Sequence, residues 1–458
     1  MATFFIEQFG CRATQADGAA IERQLREQGC IEASATAHAD VVVLNTCTVT
    51  AAADAQAREA IRNIHNANPA ARIIVTGCYA QRAPEELTSL PGVAYVVGNS
   101  HKPQIPRLLH SIAAAPPAPL TEDTTSHHVA PVLVGDIFAL SDVLVAPVLG
   151  GEGNHTRPTL KIQDGCDSRC SFCVIPFVRG KSRSLPVPTV LAEIQRLADA
   201  GFREIVLSGI NLGSYGRDLT PRVEFLELLR RILGETGVER LRISSIEPLD
   251  VTQDLIDLFA ATGRIAPHFH MPLQSGSDRI LAAMHRWYRA EHYARRVELI
   301  QEQLPNAAIG ADIIAGFPGE TPEDHEATLR FIEDRPFTYL HVFSYSSRPG
   351  TKAALLAGHL PSHIIKRRAR ELRAVGEAKA AEFRRSQIGR ALRVLTLRRG
   401  SNDDPLRTPA LSGNYLSILI PQTLPPNLML AVTLDHAEGK ELVGLPLESA
   451  LAPLAEAV

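Results

Sequence analysis

Three times in the first hundred residues a short apolar run is followed by a longer polar, helix-forming stretch. Phe4 to Phe9 predicts a strand and Thr14 to Gln28 a helix; Val41 to Leu44 is β-branched, with an Ala-rich helix from Ala51 to Asn66; Ile73 to Thr76 predicts a third strand, with a helix near Pro84 to Leu90. Strand–loop–helix units of about 30 residues build a parallel sheet with right-handed crossovers. The alternation resumes at Leu160 and continues to about residue 385, with strands predicted at 160–163, 204–208, 240–245, 268–271, 308–314 and 339–343. Helices Thr189 to Ala200 and Val223 to Leu233 are each predicted to stop at a glycine, Gly201 and Gly234. Six such βα units predict an incomplete parallel α/β barrel with its chemistry at the C-terminal strand ends. Beyond it, the runs Leu392–Leu397, Tyr415–Ile420 and Leu430–Thr433, separated by Pro and Gly, predict a small β-barrel. Residues 113–131, with Pro116, Pro117, Pro119 and several Ser and Thr, have the composition of a surface connector, in which His127 and His128 are expected to be solvated. The expected fold class is therefore α/β: an N-terminal parallel α/β domain (1–112), a linker (113–152), a partial barrel (153–384) and a small C-terminal β-barrel (385–450).

Composition narrows the class. Of 458 residues 45% are apolar and 21% charged, with a net charge of -3, which excludes a disordered, collagenous or uniformly basic chain. The most apolar stretch, Val129 to Leu149, contains Asp136, Asp142, Pro131 and Pro147. Each Asp at a bilayer centre costs about 2.5–3.5 kcal/mol, so short strands are expected there and not a membrane span. The first residues show neither a basic leader nor a long apolar core, which predicts a cytoplasmic protein. Seven unevenly placed cysteines do not make a disulfide scaffold; a reducing compartment is expected, with thiols kept for metal or catalysis.

Their positions carry the chemistry. Cys11, Cys47 and Cys78 each follow one of the first three predicted strands, at gaps of 36 and 31 residues. In a parallel sheet the loops after the strands share one edge, so the three thiols are expected to converge on a metal; three buried structural cysteines are the plainer alternative. After the first barrel strand, Cys166, Cys170 and Cys173 stand in a C-x3-C-x2-C pattern, which chance placement of seven cysteines gives about once in a thousand sequences. Three thiolates can hold a [4Fe–4S] cube by three irons and leave the fourth open to a small chelating ligand. Zinc is the alternative, but it normally takes a fourth protein ligand, and none follows at close spacing.

C-x3-C-x2-C in the first barrel loop resembles the radical S-adenosylmethionine (SAM) superfamily. The resemblance implies that the open iron binds SAM and that one electron from the cluster cleaves it to a 5′-deoxyadenosyl radical. Other segments are similar to the superfamily's SAM-contact elements: Ser208-Gly209 at the second strand end, Ser244 to Pro248 with Ser245 and Glu247 at the third, His270 to Gly276 with Gln274 at the fourth, and Gly310 to Thr321 with Asp312 along the fifth. The full layout resembles the methylthiotransferases, which join an N-terminal three-cysteine domain, a radical SAM barrel and a small β-barrel called TRAM. That implies a second [4Fe–4S] cluster on Cys11, Cys47 and Cys78, a sulfur held and methylated there, and a second SAM that activates the target carbon. Cys30 falls outside both triads and is expected to pack as a small hydrophobe.

The family's branches act on isopentenyladenosine in tRNA, on threonylcarbamoyladenosine in tRNA, or on an aspartate of a ribosomal protein. Thr48-Val49-Thr50 after Cys47 looks like the threonylcarbamoyladenosine branch, where the isopentenyl branch usually has Ala-Ile-Arg; Thr76 to Gln81, Val97-Gly98-Asn99 and Cys173 to Gly180 match the same branch. An RNA partner has independent support. From Pro361 to Gly400 there are twelve Lys or Arg against three Glu, a stripe that includes Arg367, Arg368 and Arg370 and suits phosphate contacts. The expectation is methylthiolation of C2 of N6-threonylcarbamoyladenosine at tRNA position 37, with the anticodon stem-loop, an electron donor and a sulfur donor as partners and no membrane. The other two substrates, or a non-enzymatic RNA-binding zinc protein, are the alternatives.

Overall fold

The computed structural model describes residues 2–114, 129–148 apart from 142 and 145, and 156–447 apart from 402. The chain gathers into two compact units that do not follow sequence order. One comprises Met1–Val148, Leu160–Leu185 and Ser346–Ala354; the other comprises Leu149–Thr159, Pro186–Tyr345 and Leu355–Val458.

In the first unit the order is β1 (Thr3–Gln8), α1 (Arg12–Glu27), β2 (Ile31–Glu32), β3 (Val41–Thr46), α2 (Ala51–Ala67), β4 (Arg72–Gly77), α3 (Cys78–Arg82), β5 (Val93–Gly98), α4 (Ile105–Ala114), β6 (Val132–Leu133) and β7 (Pro147–Val148). A six-stranded sheet runs β2-β1-β3-β4-β5-β6, parallel throughout. Every residue of β3 is buried, because both faces are covered: Val42 and Leu44 pack with Ile61, Ile73 and Val75, whereas Val41 and Val43 pack with Phe4, Ile21 and Leu25. Cys30 sits in that second cluster as the small hydrophobe expected. The first barrel strand, β8 (Thr159–Lys161), leads into β9 (Gln163–Asp164), the cysteine loop, α5 (Ile175–Arg179) and β10 (Arg183–Ser184), which pairs antiparallel with β9.

Two sequence expectations need correction in this unit. The helix drawn near Pro84 to Leu90 instead begins at Cys78, and only a single 3-10 turn spans Pro84–Glu86. The linker drawn over 113–152 is partly built into the fold: β6 adds a sixth strand to the sheet, and Ala130 is buried in its core. Its Pro-rich part and His127-His128 lie outside the described residues.

The second unit contains α6 (Val187–Asp199), β11 (Glu204–Ser208), α7 (Phe225–Glu235), β12 (Arg240–Ile243), α8 (Gln253–Ala261), β13 (His268–His270), α9 (Asp278–Ala283), α10 (Ala290–Gln303), β14 (Ala308–Ala315), α11 (Pro322–Glu333) and β15 (Tyr339–Ser344). β11 pairs with β12, and β14 pairs with β13 on one side and β15 on the other, all parallel. Gly234 lies inside α7 and does not end it, so that predicted stop was misplaced. A 25-residue helix, α12 (Ser362–Ser386), packs on β14 and β15 and leads to β16 (Ala391–Thr396), β17 (Thr408–Ser412), β18 (Ser417–Ile420), β19 (Met429–Glu438) and β20 (Glu441–Pro446). These five close into a barrel, ordered β16-β17-β18-β20-β19, around Val394, Ile418, Ile420, Val432 and Leu442. The chain is thus a mixed α/β protein of the expected class with a closed C-terminal β-barrel. No helix among the described residues is long and apolar enough to cross a membrane.

Candidate functional site

Cys11 stands at the N-cap of α1 after β1, Cys47 follows β3, and Cys78 opens α3 after β4. The three strands are neighbours in the sheet and parallel, so all three thiols lie at one edge. Gly10 makes the approach possible: a Cβ there would lie 2.7 Å from Cys47 Cβ, and its φ of +124° is one a side chain rarely adopts. Burial, with Cys78 and Cys11 close by, pushes the Cys47 thiol up to about 11 against a weaker hydrogen bond from the Val49 N–H. A thiol so placed gives up its proton to a metal cation far more readily than to water. Asn99 Nδ2 lies 3.5 Å from Cys78 Sγ, a polar contact to the sulfur of the kind that orients and tunes a metal thiolate. The donor set fits an iron–sulfur cluster.

The second cysteine set is held in the same unit. Gly165 starts the loop with φ +70°, and a Cβ on it would meet Lys181 O at 1.9 Å, so β9 and the return strand close tightly at its base. The Cys166 N–H donates to Gly180 O at 3.1 Å, that of Ser168 lies 3.4 Å from Cys166 Sγ, and that of Cys173 donates to Cys170 O at 3.1 Å. All three cysteines are partly exposed, unlike buried Cys47 and Cys78. No disulfide links any of the seven.

Helix α5 joins the two sets. It begins two residues after Cys173; Val174, Ile175 and Val178 pack directly on Cys78, and the Val178 carbonyl accepts from Asn99 Nδ2 at 2.6 Å. Its last residue, Arg179, is buried and donates to Asp164 at 2.9 Å and to Asp17 at 3.1 Å. Asp17 on α1 also accepts from Lys102, at 2.6 Å, and from Lys161; Lys161 reaches Asp164 at 2.8 Å. Burial alone would raise both carboxyls, but Lys102, Lys161 and Arg179 outweigh it for Asp17, as Arg179 and Lys161 do for Asp164, and hold both well below the usual carboxylate range. Losing one partner of such a buried set costs about 3–5 kcal/mol.

A second brace comes from the segment after β15. Arg348 is buried, donates to Thr48 Oγ1 at 2.8 Å and pairs with Asp54; Arg82 reaches the same two residues at 2.8 and 3.0 Å. Ala353 N–H donates to Ser171 O at 2.8 Å, so one short segment touches the loops of both cysteine sets. Two of the three residues in Thr48-Val49-Thr50 thereby have structural tasks: Thr48 donates to Asp54 at 2.6 Å, and Thr50 caps α2 by accepting from Ala53 N–H at 3.2 Å. None of these braces figured in the sequence reading; a charged residue inside an apolar run (Asp17 among alanines, Lys161 between Leu160 and Ile162) was the available signal.

In the second unit the strand ends bring some of the expected SAM contacts together. Asp312 Oδ1 lies 3.0 Å from His270 Nε2 and 3.1 Å from His341 Nδ1, and His270 Nδ1 lies 3.1 Å from Ser245 Oγ. Burial would raise the Asp312 carboxyl, but the two histidines hold it well below its usual range. Gln274 takes a left-handed conformation, φ 69°, and its backbone bridges β14: its N–H donates to Asp312 O at 2.7 Å, and its carbonyl accepts from Ile314 N–H at 3.0 Å. Glu247 is instead paired with Arg286; Ser208 is buried at the end of β11, followed by Gly209.

The basic stripe needs one correction. Arg367 and Arg370 face solvent, but Arg368 is buried and donates to Glu320 Oε2 at 2.5 Å and to Glu320 O at 3.0 Å. Its charge fixes α12 to the loop before α11 and is spent there. Replacing Arg367 and Arg370 with Glu is expected to weaken tRNA binding about tenfold at low salt and to flatten its salt dependence, measured by titration. Unchanged affinity at low salt would place the RNA contact elsewhere.

Residues 3–98 match the family described as Uncharacterized protein family UPF0004, and residues 160–332 match the Radical SAM superfamily. A radical SAM methyltransferase from Kitasatospora setae, solved with cobalamin and a [4Fe–4S] cluster bound, shares the fold at a TM-score of 0.56 and 18% identity over 77% of each chain. Fold and cysteine loop together define a radical SAM enzyme. Threonylcarbamoyladenosine tRNA methylthiotransferase MtaB of Aquifex aeolicus is 39% identical over 85% of this chain and 92% of its own length, and that of Bacillus subtilis 36% over 86% and 85%. The tRNA-2-methylthio-N(6)-dimethylallyladenosine synthase of an Arthrobacter species is 34% identical over 98% of this chain and 85% of its own. The chain belongs to the radical SAM methylthiotransferases, whose cofactors are SAM and [4Fe–4S] clusters.

Proposed function

We propose that this enzyme inserts a methylthio group at C2 of N6-threonylcarbamoyladenosine at position 37 of tRNA, next to the anticodon. The observation that carries this is the packing of two three-cysteine sets in one unit, joined through α5. Cys166, Cys170 and Cys173 would hold the cluster that binds SAM, and Cys11, Cys47 and Cys78 the second. When bound, the first supplies the electron that cleaves SAM and the second carries the sulfur to be transferred. The chain's own part is to orient. Ser208, Gly209, Ser245, Glu247, Gln274 and Asp312 are the proposed SAM contacts, and the His270–Asp312–His341 hydrogen bonds keep the carboxylate ionised and aimed. Asp312→Asn is expected to weaken SAM binding about tenfold, read by equilibrium titration of the holoenzyme; unaltered affinity would remove Asp312 from the SAM site.

The substrate branch is supported by the Aquifex aeolicus relative named for threonylcarbamoyladenosine, 39% identical, against 36% for two relatives named for the dimethylallyl nucleoside. An anticodon-loop adenosine is unpaired and can be turned out of its stack for a few kcal/mol or less, as chemistry at a base edge requires. Exposed Arg367 and Arg370 supply phosphate contacts to the stem-loop. An electron donor and a sulfur donor complete the partners. Mass spectrometry of tRNA nucleosides from a strain lacking the gene should show 2-methylthio-threonylcarbamoyladenosine gone and its precursor accumulated. Loss of the isopentenyl derivative instead would assign the other tRNA branch, and a ribosomal protein lighter by one methylthio group the protein substrate.

A further inference from the structure

Next to Asn99, whose Nδ2 contacts Cys78 Sγ, lies a small cavity of about 70 Å³ lined by Lys102, Arg179 and Arg183, by the carboxylates Asp17 and Asp164, and by apolar side chains including Ile137 and Leu140. Its charge is unbalanced. Four buried cations, Lys102, Lys161, Arg179 and Arg183, share two carboxylates, Asp17 and Asp164. Lys102, Lys161 and Arg179 have close contacts to them, whereas Arg183 comes no nearer than 4.0 Å to Asp164. The Arg183 side chain is 9% exposed, and its Nε and Nη1 have no hydrogen-bond partner among the described residues; Arg179 Nε is likewise unsatisfied. Buried guanidinium donors without acceptors are costly, and the least costly remedy is an anion. Lys102 and Arg179 are near enough to feel a charge on Cys78, which leaves Arg183, with Asp164 at 4.0 Å, as the cavity cation whose counter-charge is most distant.

Volume and lining restrict what could enter. Liquid water takes about 30 Å³ per molecule, so the space suits one or two particles of that size and excludes a nucleotide or a protein side chain carrying a persulfide. The apolar part of the wall favours a soft, weakly hydrated monoanion over phosphate or sulfate, dianions that Asp17 and Asp164 in the lining would repel more strongly. The reaction consumes one sulfur atom per turnover, and Asn99, in the cavity wall, contacts Cys78 Sγ. We propose that this cavity is a small-anion site that holds the sulfur source as hydrosulfide beside the Cys11–Cys47–Cys78 set. It rests on the assignment of that set as the sulfur-carrying site, and it concerns binding alone.

The test uses anaerobic holoenzyme with tRNA and SAM, sodium sulfide as the varied substrate, and ionic strength held with a bulky organic anion. Methylthiolated product should saturate with hydrosulfide, and Arg183→Gln should raise the half-saturating concentration about tenfold or more, with Arg183→Lys recovering part of it. Bromide, close to hydrosulfide in size and charge, should compete with it in the native protein and much less in Arg183→Gln. Ile137→Phe, which fills the cavity without touching a charge, should raise half-saturation similarly and carries the test should Arg183→Gln not fold, folding being read from iron content. Equal half-saturation in native and variant proteins, or bromide that does not compete, overturns the anion site while leaving the cluster assignment standing. Methylthio insertion surviving in Cys78→Ala overturns that assignment, whatever the anion does.

Discussion

Cys166→Ala should abolish reductive cleavage of SAM, whereas Cys47→Ala should keep cleavage and lose methylthio insertion, each loss being about a thousandfold or more, or some 4 kcal/mol of barrier. The asymmetry follows from what each thiol holds. Cys166 belongs to the partly exposed loop where one thiolate fewer destroys the cluster that receives SAM; buried Cys47 lies between Cys11 and Cys78 at the edge of another sheet. Reconstituted native protein should carry about eight irons and each variant about four. Cys30→Ala should keep all eight, since Cys30 packs among Phe4, Ile21 and Leu25 away from both sets. Because Val174, Ile175 and Val178 of the α5 region rest on Cys78, Cys78→Ala is the variant in which loss of one cluster should loosen the other, seen as faster iron release to a chelator. Equal loss of cleavage in Cys166→Ala and Cys47→Ala would refute the division of labour, and an iron deficit in Cys30→Ala would refute the ligand sets.

The sequence showed what local periodicity can encode. Strand β3 opens on a continuous apolar run, Val41–Leu44, because both its faces are covered, and cysteines at strand ends must share an edge once the strands are parallel. Contacts between residues far apart in the chain leave no such trace. Nothing near Arg348 announces that it brackets Thr48 and Asp54, some 300 residues earlier, nor does the Lys102 neighbourhood point to Asp17. Arg368 is different, because its burial was legible. It shares a helical face with Leu372 and Gly376, four and eight residues on, and all three are buried, so a charge count along the stripe needed a helical wheel beside it. The Thr48-Val49-Thr50 string likewise served as a family marker, although Thr50 ahead of an Ala-rich helix is an N-cap by its local chemistry.

The second large effect is on stability. Glu204 at the start of β11 is fully buried and meets three arginines: Arg240 at 2.5 Å, Arg242 at 2.7 Å and Arg157 at 3.3 Å. Two of these reach on to the C-terminal barrel: Arg240 donates to Leu411 O and Arg393 O, both at 3.1 Å, and Arg242 to Ser412 O and Gly413 O, both at 2.9 Å. One carboxylate thus organises the cations that seat β16 and β17 against β12. Burial would raise the Glu204 carboxyl, but Arg242 and Arg240 prevail and bring it down to about 2 from an ordinary 4.5. A folded value below the unfolded one stabilises the protein fully above about pH 4.5, and the contribution, about 3 kcal/mol, fades as pH falls toward 2. Glu204→Gln should therefore cost about 3–5 kcal/mol near neutral pH, because it strands buried guanidinium charge, and lower Tm by roughly 10 °C. The variant should also lose the part of acid destabilisation between pH 4.5 and 2 that native protein shows. Replacing Glu204, Arg240 and Arg242 together by apolar residues of similar size should restore much of the neutral-pH loss, since no buried charge remains to be compensated. Chemical unfolding at pH 7 and at pH 3 tests both expectations. A Glu204→Gln protein within about 0.5 kcal/mol of native at pH 7, the spread of an ordinary surface change, would show that the arginines are satisfied by the barrel's carbonyls without the carboxylate.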